Sequence, residues 1–488
     1  MSRVTIDSGT GRDHMPAPAR TSPHQPAVEI EARVQATRIR PDTGAMDRRR
    51  LAAATLSAVL PGLGQAFNHR RRLTFLFLVP SLVILAIAVL MMQLQSPIRL
   101  AAWVITPSVL GTVLTLNVLI LAWRLLAAFQ AFLDTRWSGP TGRLGAIGMV
   151  VIAIAIVAPH FLAFQYGRLL GDTFGTIFRG QVLAASSGPE RPERPAPADG
   201  QRINVLIVGV DSTAKRTATL TDTMIVASLD PVGGSVSMVS LPRDLINVPL
   251  GNGDDYGPKL NSLMSYAHRH PDVFPNGGLW ALQDAASALL GIPIHYYATM
   301  NMRGFVSMID AVGGVDINVR RGFEDPTYDG YGTDQRGYSI TAGPHHMSGS
   351  DALAYARSRK GKGESDFTRA ARQQEIIAAL RREAMSGGSL FWQLPDLLKV
   401  VGASVRTDLP TERLPALAAI LDESGRDAMV RTVIKFPLVH PKPTKYGDGQ
   451  DPDLAGILTM AARLFPEPGA MPVGWPSASA LPLPSAAP

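Results

Sequence analysis

The chain has 488 residues, of which 46% are hydrophobic, and its mean hydropathy is +0.10. That is long for one domain and too apolar for a protein lying wholly in water, so a membrane-embedded part is expected. A net charge of +7 and an isoelectric point near 9.7 ask for an anionic partner: lipid headgroups, a phosphorylated ligand or nucleic acid. The absence of cysteine excludes disulfides, thiolate metal centres and a cysteine nucleophile.

Residues 1–50 are rich in Pro, Arg, Thr and Asp without sustained periodicity, the pattern of a disordered cytoplasmic tail, and no cleavable signal peptide is visible there. Residues 51–165 form the expected membrane region. Its first stretch, 51–67, carries Pro61-Gly62-Leu63-Gly64 and is followed by His69-Arg70-Arg71-Arg72, which reads as a re-entrant or interfacial limb. The apolar runs 73–94, 100–129 and 144–164 are each long enough to cross roughly 30 Å of hydrocarbon. Arg124 lies near the end of the second, where it can snorkel. Basic residues crowd the flank before the first run (Arg48, Arg49, Arg50, Arg70, Arg71, Arg72), and Arg136 and Arg143 separate the second from the third. Arg99 alone lies between the first two. The positive-inside rule therefore puts the N-terminus in the cytoplasm and everything after the third span outside.

Residues 166–201 read as a juxtamembrane and proline-rich linker, 202–466 as one extracytoplasmic α/β domain and 467–488 as a disordered Pro/Ala-rich tail. Within the domain, the apolar runs 203–210, 224–229 and 236–241 have the look of strands buried on both faces. Helical patterns occupy 278–290, 303–311 and 365–384, with further strands expected at 294–299 and 315–319. The fold class is thus α/β, a mixed central sheet between helices.

Polar residues fall at the strand ends, where ligand sites of open α/β sheets form. Asp211 closes the first strand, Asp222 opens the second, and Arg243-Asp244 follow the third. Two converging carboxylates suit magnesium, which completes its shell with water and phosphate oxygens; strand-end aspartates also serve simply as turn caps. Arg357 and Arg359 follow the apolar run 352–356. If that run is extended, both guanidinium groups share a face. Ser365 or Asp366 then caps a helix carrying Arg369, Arg372 and Gln373 at three- and four-residue spacing. Such a fork matches phosphate oxygens, although a solvated basic face gives the same pattern. The stretch 320–346, with Asp325, Asp329, Asp334 and His345-His346, reads as a long surface loop, a metal site there being the less favoured alternative.

Taken in order, these segments resemble the LytR-CpsA-Psr family of cell-envelope proteins. They are the strand ending at Asp211, Thr221-Asp222-Thr223-Met224, Ser240-Leu241-Pro242-Arg243-Asp244, Lys259-Leu260-Asn261, Asp310 to Asp316, Ala352 to Arg359, and the set Asp366, Arg369, Arg372 and Gln373. The resemblance is close over 203–385 and looser to 466. It implies a membrane-bound phosphotransferase that moves a glycopolymer from a polyprenyl-pyrophosphate carrier to peptidoglycan. By position, Asp211 and Asp222 would hold Mg2+, and Arg243, Lys259, Arg357, Arg359, Arg369 and Gln373 would bind the pyrophosphate. Arg243, Asp244, Arg357 and Arg359 are the residues expected at the chemistry, Asp244 either taking the acceptor's proton or pairing with Arg243. Leu220 stands where the family often has arginine, with Lys215 or Arg216 as substitutes. A non-catalytic lipid-linked glycan binder or regulator is the alternative reading. Nucleic acid is not an expected partner, since the basic domain is placed outside and carries no recognised nucleic-acid module.

Overall fold

The computed structural model describes residues 43–134, 139–178, 194–211, 220–330, 336–386, 402, 404–424, 429–445 and 447–474. Most of the expected N-terminal tail, Lys215, Arg216 and Asp334 lie outside them.

Among the described residues, six helices come first: α1 (Thr43–Val59), α2 (Leu63–Phe67), α3 (Arg71–Leu94), α4 (Pro97–Ile105), α5 (Pro107–Phe132) and α6 (Arg143–Phe178). Three of them, α3, α5 and α6, are long and apolar enough to cross a membrane. The run 100–129 is broken because Pro107 disfavours helical backbone at Thr106, whose ψ is 127°. The third helix extends well past residue 164 to Phe178, 36 residues in all, about 54 Å at 1.5 Å per residue. The stretch 51–67 is a helix–turn–helix, its turn made by Gly62 at φ +106°, a region open to glycine.

The chain divides into two compact units, one containing Met1–Ser81 with Trp123–Ile156, the other Leu82–Ala122 with Val157–Pro488. The first unit is organised by polar pins. Fully buried Gln65 accepts at Oε1 from Ser57 Oγ (2.8 Å) and Gly62 N (3.1 Å), and donates from Nε2 to the Ala127 carbonyl (2.8 Å) and Gln130 Oε1 (2.9 Å). Arg70 grips Asp134 at distances of 2.7–3.0 Å, and Asp47 accepts from Gly142 N and Gly145 N at the start of α6. The Arg124 guanidinium donates to the Ala58 carbonyl at 2.6 Å.

The second unit holds the α/β domain, built on a six-stranded mixed sheet. In chain order its strands are β1 (Ile203–Asp211), β2 (Leu220–Leu229), β3 (Val236–Ser240), β6 (Tyr296–Asn301), β11 (Val405–Thr407) and β12 (Met429–Val433). In space they run β11-β6-β1-β2-β3-β12. Strand β1 is antiparallel to β2 and parallel to β6, and β2 is antiparallel to β3. The C-terminal ends of β1 and β3 and the N-terminal end of β2 therefore share one sheet edge. Alternation along β1 sends Leu206, Val208 and Val210 into a core shared with α7 (Leu263–Arg269), α8 (Gly278–Leu290) and α13 (Leu454–Leu464). On the other face, Ile225 and Met238 meet Ile377 of α11 (Asp366–Ser386), and Ile203 and Tyr296 meet Leu417 of α12 (Leu414–Glu423). Helices thus cover both faces, as expected.

A satellite core gathers α9 (Met302–Ala311), β7 (Val315–Val319), β8 (Phe323–Asp325), β9 (Tyr338–Ile340), β10 (Gly343–Met347) and α10 (Gly349–Arg357). Two expectations are corrected here. The stretch 320–346 is no open loop but pairs β8 with β9 and β10 with β7. The run 352–356 is helical, not extended: Ser348 Oγ accepts from Asp351 N and caps α10. Small hairpins complete the domain, β4 (Val248–Pro249) with β5 (Asp255–Tyr256) and β13 (Val439–Thr444) with β14 (Gly447–Pro452).

Candidate active site at the sheet edge

The site grows from a fault in the ladder. Pairing proceeds Gly209↔Thr223, then Val210↔Thr221 and Asp211↔Leu220, so Asp222 is the extra residue of a β-bulge. Bulges re-aim a side chain. Asp222 is thus inside β2 rather than at its start, and its Oδ1 accepts from Arg243 at 2.8 Å. Asp211 is the last residue of β1, two ladder positions away.

Arg243 follows β3 in a loop pinned through its backbone: the Arg243 carbonyl accepts from Asn261 N at 3.0 Å, and the Asp244 carbonyl accepts from Gln450 N at 2.9 Å. Its Nε lies 3.7 Å from Asp244 Oδ2 and 3.6 Å from Asp366 Oδ1. Lys259 Nζ reaches the other Asp244 oxygen at 3.1 Å. Of the two roles open to Asp244, the geometry displays the ion pair, a carboxylate holding two cations.

The arginine fork is built differently from the expected extended pair. Arg357 ends α10, and Ser358 turns the chain into extended backbone. Arg357 hydrogen-bonds Tyr328, whose hydroxyl burial nevertheless holds above its ordinary pKa. Arg359 reaches elsewhere, its guanidinium 3.8 Å from Asp366 Oδ1. Its backbone N and that of Lys360 both donate to Asp325 Oδ2, at 3.0 and 3.2 Å. The next helix is capped by Ser365, which exchanges hydrogen bonds with Thr368: Thr368 N to Ser365 Oγ at 3.2 Å, Ser365 N to Thr368 Oγ1 at 2.9 Å. Asp366, relieved of capping, becomes the hub: Arg369 lies 2.9 Å from its Oδ1, with Arg243 and Arg359 beyond.

Two expected donors are occupied elsewhere. Buried Arg372 donates to Glu364 and to the Ser358 carbonyl and lies over Phe323, 4.3 Å from the ring centre. It shapes the loop. Gln373 Nε2 approaches the Ala356 carbonyl at 3.4 Å.

The structure therefore brings together Asp222, Arg243, Asp244, Lys259, Arg359, Asp366 and Arg369. Burial alone would lower the Arg243 pKa, but Asp366, Asp222 and Asp244 more than offset it; burial does lower that of Arg369. Both stay charged, as arginine does. Several polar atoms here, Arg243 Nε, Arg369 Nε and Asp366 Oδ1, are buried without a well-aligned hydrogen bond. The two arginine Nε–H groups could donate to an anion, while Asp366 Oδ1 stands among the cations as a competing acceptor. Asp366 and Asp325 were missed as organisers from the sequence, because Arg243 and Arg359, which meet Asp366, and the Arg359 and Lys360 backbone, which meets Asp325, lie outside their own elements.

Residues 181–451 match the model of the LytR_cpsA_psr family. The chain belongs to that family. It is similar to the polyisoprenyl-teichoic acid–peptidoglycan teichoic acid transferase TagU of Halalkalibacterium halodurans, at 34% identity over 42% of this chain and 60% of that protein. To TagU of Oceanobacillus iheyensis it is similar at 31% identity over 56% and 78%. The crystal structure of Bacillus subtilis TagV aligns with 26% identity and a TM-score of 0.42, covering 54% of this chain and 97% of that one. Members of this family thus include transferases by name, and the segment matched contains the whole constellation just described.

Proposed function

We propose that this protein is a membrane-bound phosphotransferase that moves a glycopolymer from a polyprenyl-pyrophosphate carrier onto peptidoglycan. The observation that carries this reading is the convergence of Arg243, Lys259, Arg359 and Arg369 on one sheet edge, with Arg243 Nε and Arg369 Nε lacking an aligned acceptor. An acceptor hydroxyl attacks the phosphorus bearing the glycopolymer. A new P–O bond forms as the hydroxyl proton passes to the departing phosphate or to solvent, the bridging P–O bond breaks, polyprenyl phosphate leaves, and the polymer is joined through a phosphodiester. Catalysis of this kind is mostly positioning and charge neutralisation. Arg243 and Arg359 bind phosphate oxygens, Arg369 supports them from a buried position, Lys259 adds a point charge, and Asp244 keeps Arg243 and Lys259 apart and oriented. Arg357 borders the site from the end of α10, and Gln373 from α11, its Nε2 reaching the Ala356 carbonyl.

Magnesium fits the donor set. Among the described residues no group of three or more metal-ligating side chains occurs, but magnesium bound with phosphates uses only one or two carboxylates. Asp222 sits on the bulge with a quarter of its side chain exposed, 26%, and the ladder brings the Asp211 backbone within two positions. Those two aspartates would hold the ion, which when bound supplies charge neutralisation at the phosphates. Asp222→Ala is expected to lower transfer about 10²-fold, roughly 3 kcal/mol, with magnesium titration no longer raising the rate.

The arginine distribution supports a cytoplasmic N-terminus, three spans and an extracytoplasmic domain. An alkaline phosphatase fusion after Gly200 should be active in cells and one at Arg143 inactive; the reverse would overturn the orientation. Transfer from a defined lipid-linked donor to peptidoglycan by the full chain in nanodiscs tests the reaction itself. Donor binding without any transfer would instead favour a non-catalytic glycan binder.

A further inference from the structure

A domain joined to its neighbours by a linker alone moves relative to them by default. Here the helices of the membrane region meet the α/β domain at two places besides the linker, both within the second compact unit. The first is α4, between the first two spans. Ser96 caps it by accepting from Arg99 N, Pro97 opens it and Thr106 ends it, so it is a short brace and not a loose loop. Arg99 Nε stands 3.0 Å from Asp422 Oδ2, and a terminal nitrogen of the same guanidinium stands 2.8 Å from Glu423 Oε1. Both carboxylates occupy the last turn of α12, where the helix dipole disfavours negative charge; a cation brought from another element offsets that placement. Trp103, half-exposed on α4, is of the residue type that settles at a bilayer interface.

The second place is the end of α6, which continues past its apolar run to Phe178. Its Thr173 is buried, and a Cβ on Gly402 would stand 2.6 Å from Thr173 Cγ2. Gly402 leads into β11, its carbonyl accepting from Arg406 at 2.7 Å. Helix α5 makes one frame of α4 and α6: Asn117 donates to the His160 carbonyl at 3.0 Å, and a Cβ on Gly167 would stand 2.5 Å from Leu114 Cδ2. The two contacts lie far apart on the sheet. Gly402 precedes Val405, which is level with Met300 and, through it, with Gly209 near the end of β1. Glu423 lies beside Gly234 in the β2–β3 turn, and the end of β2 at Leu229 is level with Ile203 at the start of β1. From Ile203 to Gly209 the strand rises about 20 Å. Two attachments on such a baseline fix an orientation, which one attachment cannot.

We propose that α4 and the end of α6 form a seat that holds the α/β domain in one stance over the bilayer, so that its cation cluster meets a pyrophosphate still anchored in the lipid. The surfaces they grip are the last turn of α12 and the residues before β11. The proposal rests on the phosphotransferase reading for its ligand alone. Each Arg99 pair is partly exposed and weak by itself, but the spans and the linker keep the partners together, and contacts within one chain form at high effective concentration. Because α4 follows the first span and the domain follows the third, both stand on the same side of the membrane, as the contact requires.

The test uses the full chain in nanodiscs. It contains no cysteine, so Arg99→Cys with Glu423→Cys supplies the only pair for a short bismaleimide. Cross-linking within one chain is expected, and the cross-linked protein should still bind a long-chain polyprenyl pyrophosphate embedded in the same bilayer. Arg99→Glu should weaken binding of that lipid at least tenfold and leave the affinity for soluble geranyl pyrophosphate unchanged, since the site itself is intact. Adding Asp422→Arg and Glu423→Arg to Arg99→Glu reverses the pairs and should restore binding of the embedded lipid. The proposal is overturned if the cysteine pair does not cross-link, if cross-linking abolishes binding of the embedded lipid, or if Arg99→Glu binds that lipid as the parent does. Should Arg99→Glu lose both ligands, it has misfolded, and the cross-linked protein with the charge-reversed variant decides. A parent that binds neither pyrophosphate counts against the phosphotransferase reading, and cross-linking then still judges the seat.

Discussion

Two polar clusters, one around Gln65 and Arg70 in the helical unit and one around Asp366 at the sheet edge, are bonded in contrasting ways. In the helical unit, Gln65 uses both acceptor sites and both donors on fixed partners at 2.8–3.1 Å, and Arg70 closes on Asp134 in paired hydrogen bonds. At the edge of the α/β sheet, Arg243 and Arg359 stand 3.6 and 3.8 Å from Asp366, and nitrogen and oxygen atoms remain buried without aligned bonds. A completed network specifies structure. An incomplete, cation-rich one holds its groups ready for a ligand that finishes it. The difference lies in bond geometry, since both regions mix amides or guanidinium groups with carboxylates.

The sharpest way to break this contrast is to substitute the incomplete side. Arg359→Ala is expected to lower transfer by 10²- to 10³-fold, about 3–4 kcal/mol. Arg359→Lys should be nearly as harmful, because lysine keeps the charge and loses the planar pair of donors. Thermal unfolding of either variant should stay near that of the parent, since the side chain is 39% exposed. Lysine with parental kinetics would show that charge alone serves there.

On the complete side the outcome should invert. Gln65→Ala removes partners from Ser57, Gly62, the Ala127 carbonyl and Gln130 together. Unsatisfied buried groups cost about 1–3 kcal/mol each, and water entry into the space left by the side chain should hold the net near 3 kcal/mol. Denaturant unfolding of the full chain should report that loss, while molecules still folded bind polyprenyl pyrophosphate as before. A loss of ligand affinity without a loss of stability would place Gln65 in the binding machinery.

How much of this was legible depended on whether the signal was local. The span at Arg71–Leu94, the strand Val315–Val319 and the helix Gly278–Leu290 carry their periodicity within themselves; the last also ends at Gly291 in the left-handed region. Asp222, Arg243 and Arg359 could be expected from strand ends and a basic run, whereas Lys259 came only through the family resemblance. The run 352–356 misled because small apolar residues fit strand and helix alike, although Ser348 with Asp351 three positions on is a helix-start signature. Strands β8 to β10 have three to five residues, too few for alternation to show. Asp366 as a hub was invisible, because its meaning comes from Arg243 on a different element.

That hub sharpens the comparison with effects of opposite sign. Asp366→Asn keeps the shape and removes the charge that offsets Arg243, Arg359 and Arg369. The ligand-free protein should lose about 2 kcal/mol, in the range for hydrogen bonds to charged groups. Added polyprenyl pyrophosphate should then raise its melting temperature by more than it raises the parent's, since the phosphates replace the missing negative charge. Equal ligand-induced shifts would mean that Asp366 does not share the anion's place.

Asp408 provides the smallest and most separable effect, a carboxylate buried away from the cation cluster. Its Oδ1 accepts from Tyr297 N at 2.6 Å, yet burial dominates and pushes its pKa up to about 6 from the ordinary 3.8. For a carboxyl group whose folded pKa is raised, the folded protein holds the proton more tightly than the unfolded chain. No penalty exists below pH 3.8; as pH rises from there to about 6 the unfolded state ionises first, and stability falls until both are charged. A tenfold difference in proton affinity between the two states corresponds to about 1.4 kcal/mol. The full shift would amount to about 3 kcal/mol, and residual solvent exposure should bring the net change down to about 1–2 kcal/mol, which the parent loses between about pH 4 and pH 6.5. Asp408→Asn can still accept from Tyr297 and has nothing to ionise, so the gap between variant and parent in denaturant midpoints should open across that window. Parallel profiles would show that Asp408 titrates normally and that its burial costs nothing.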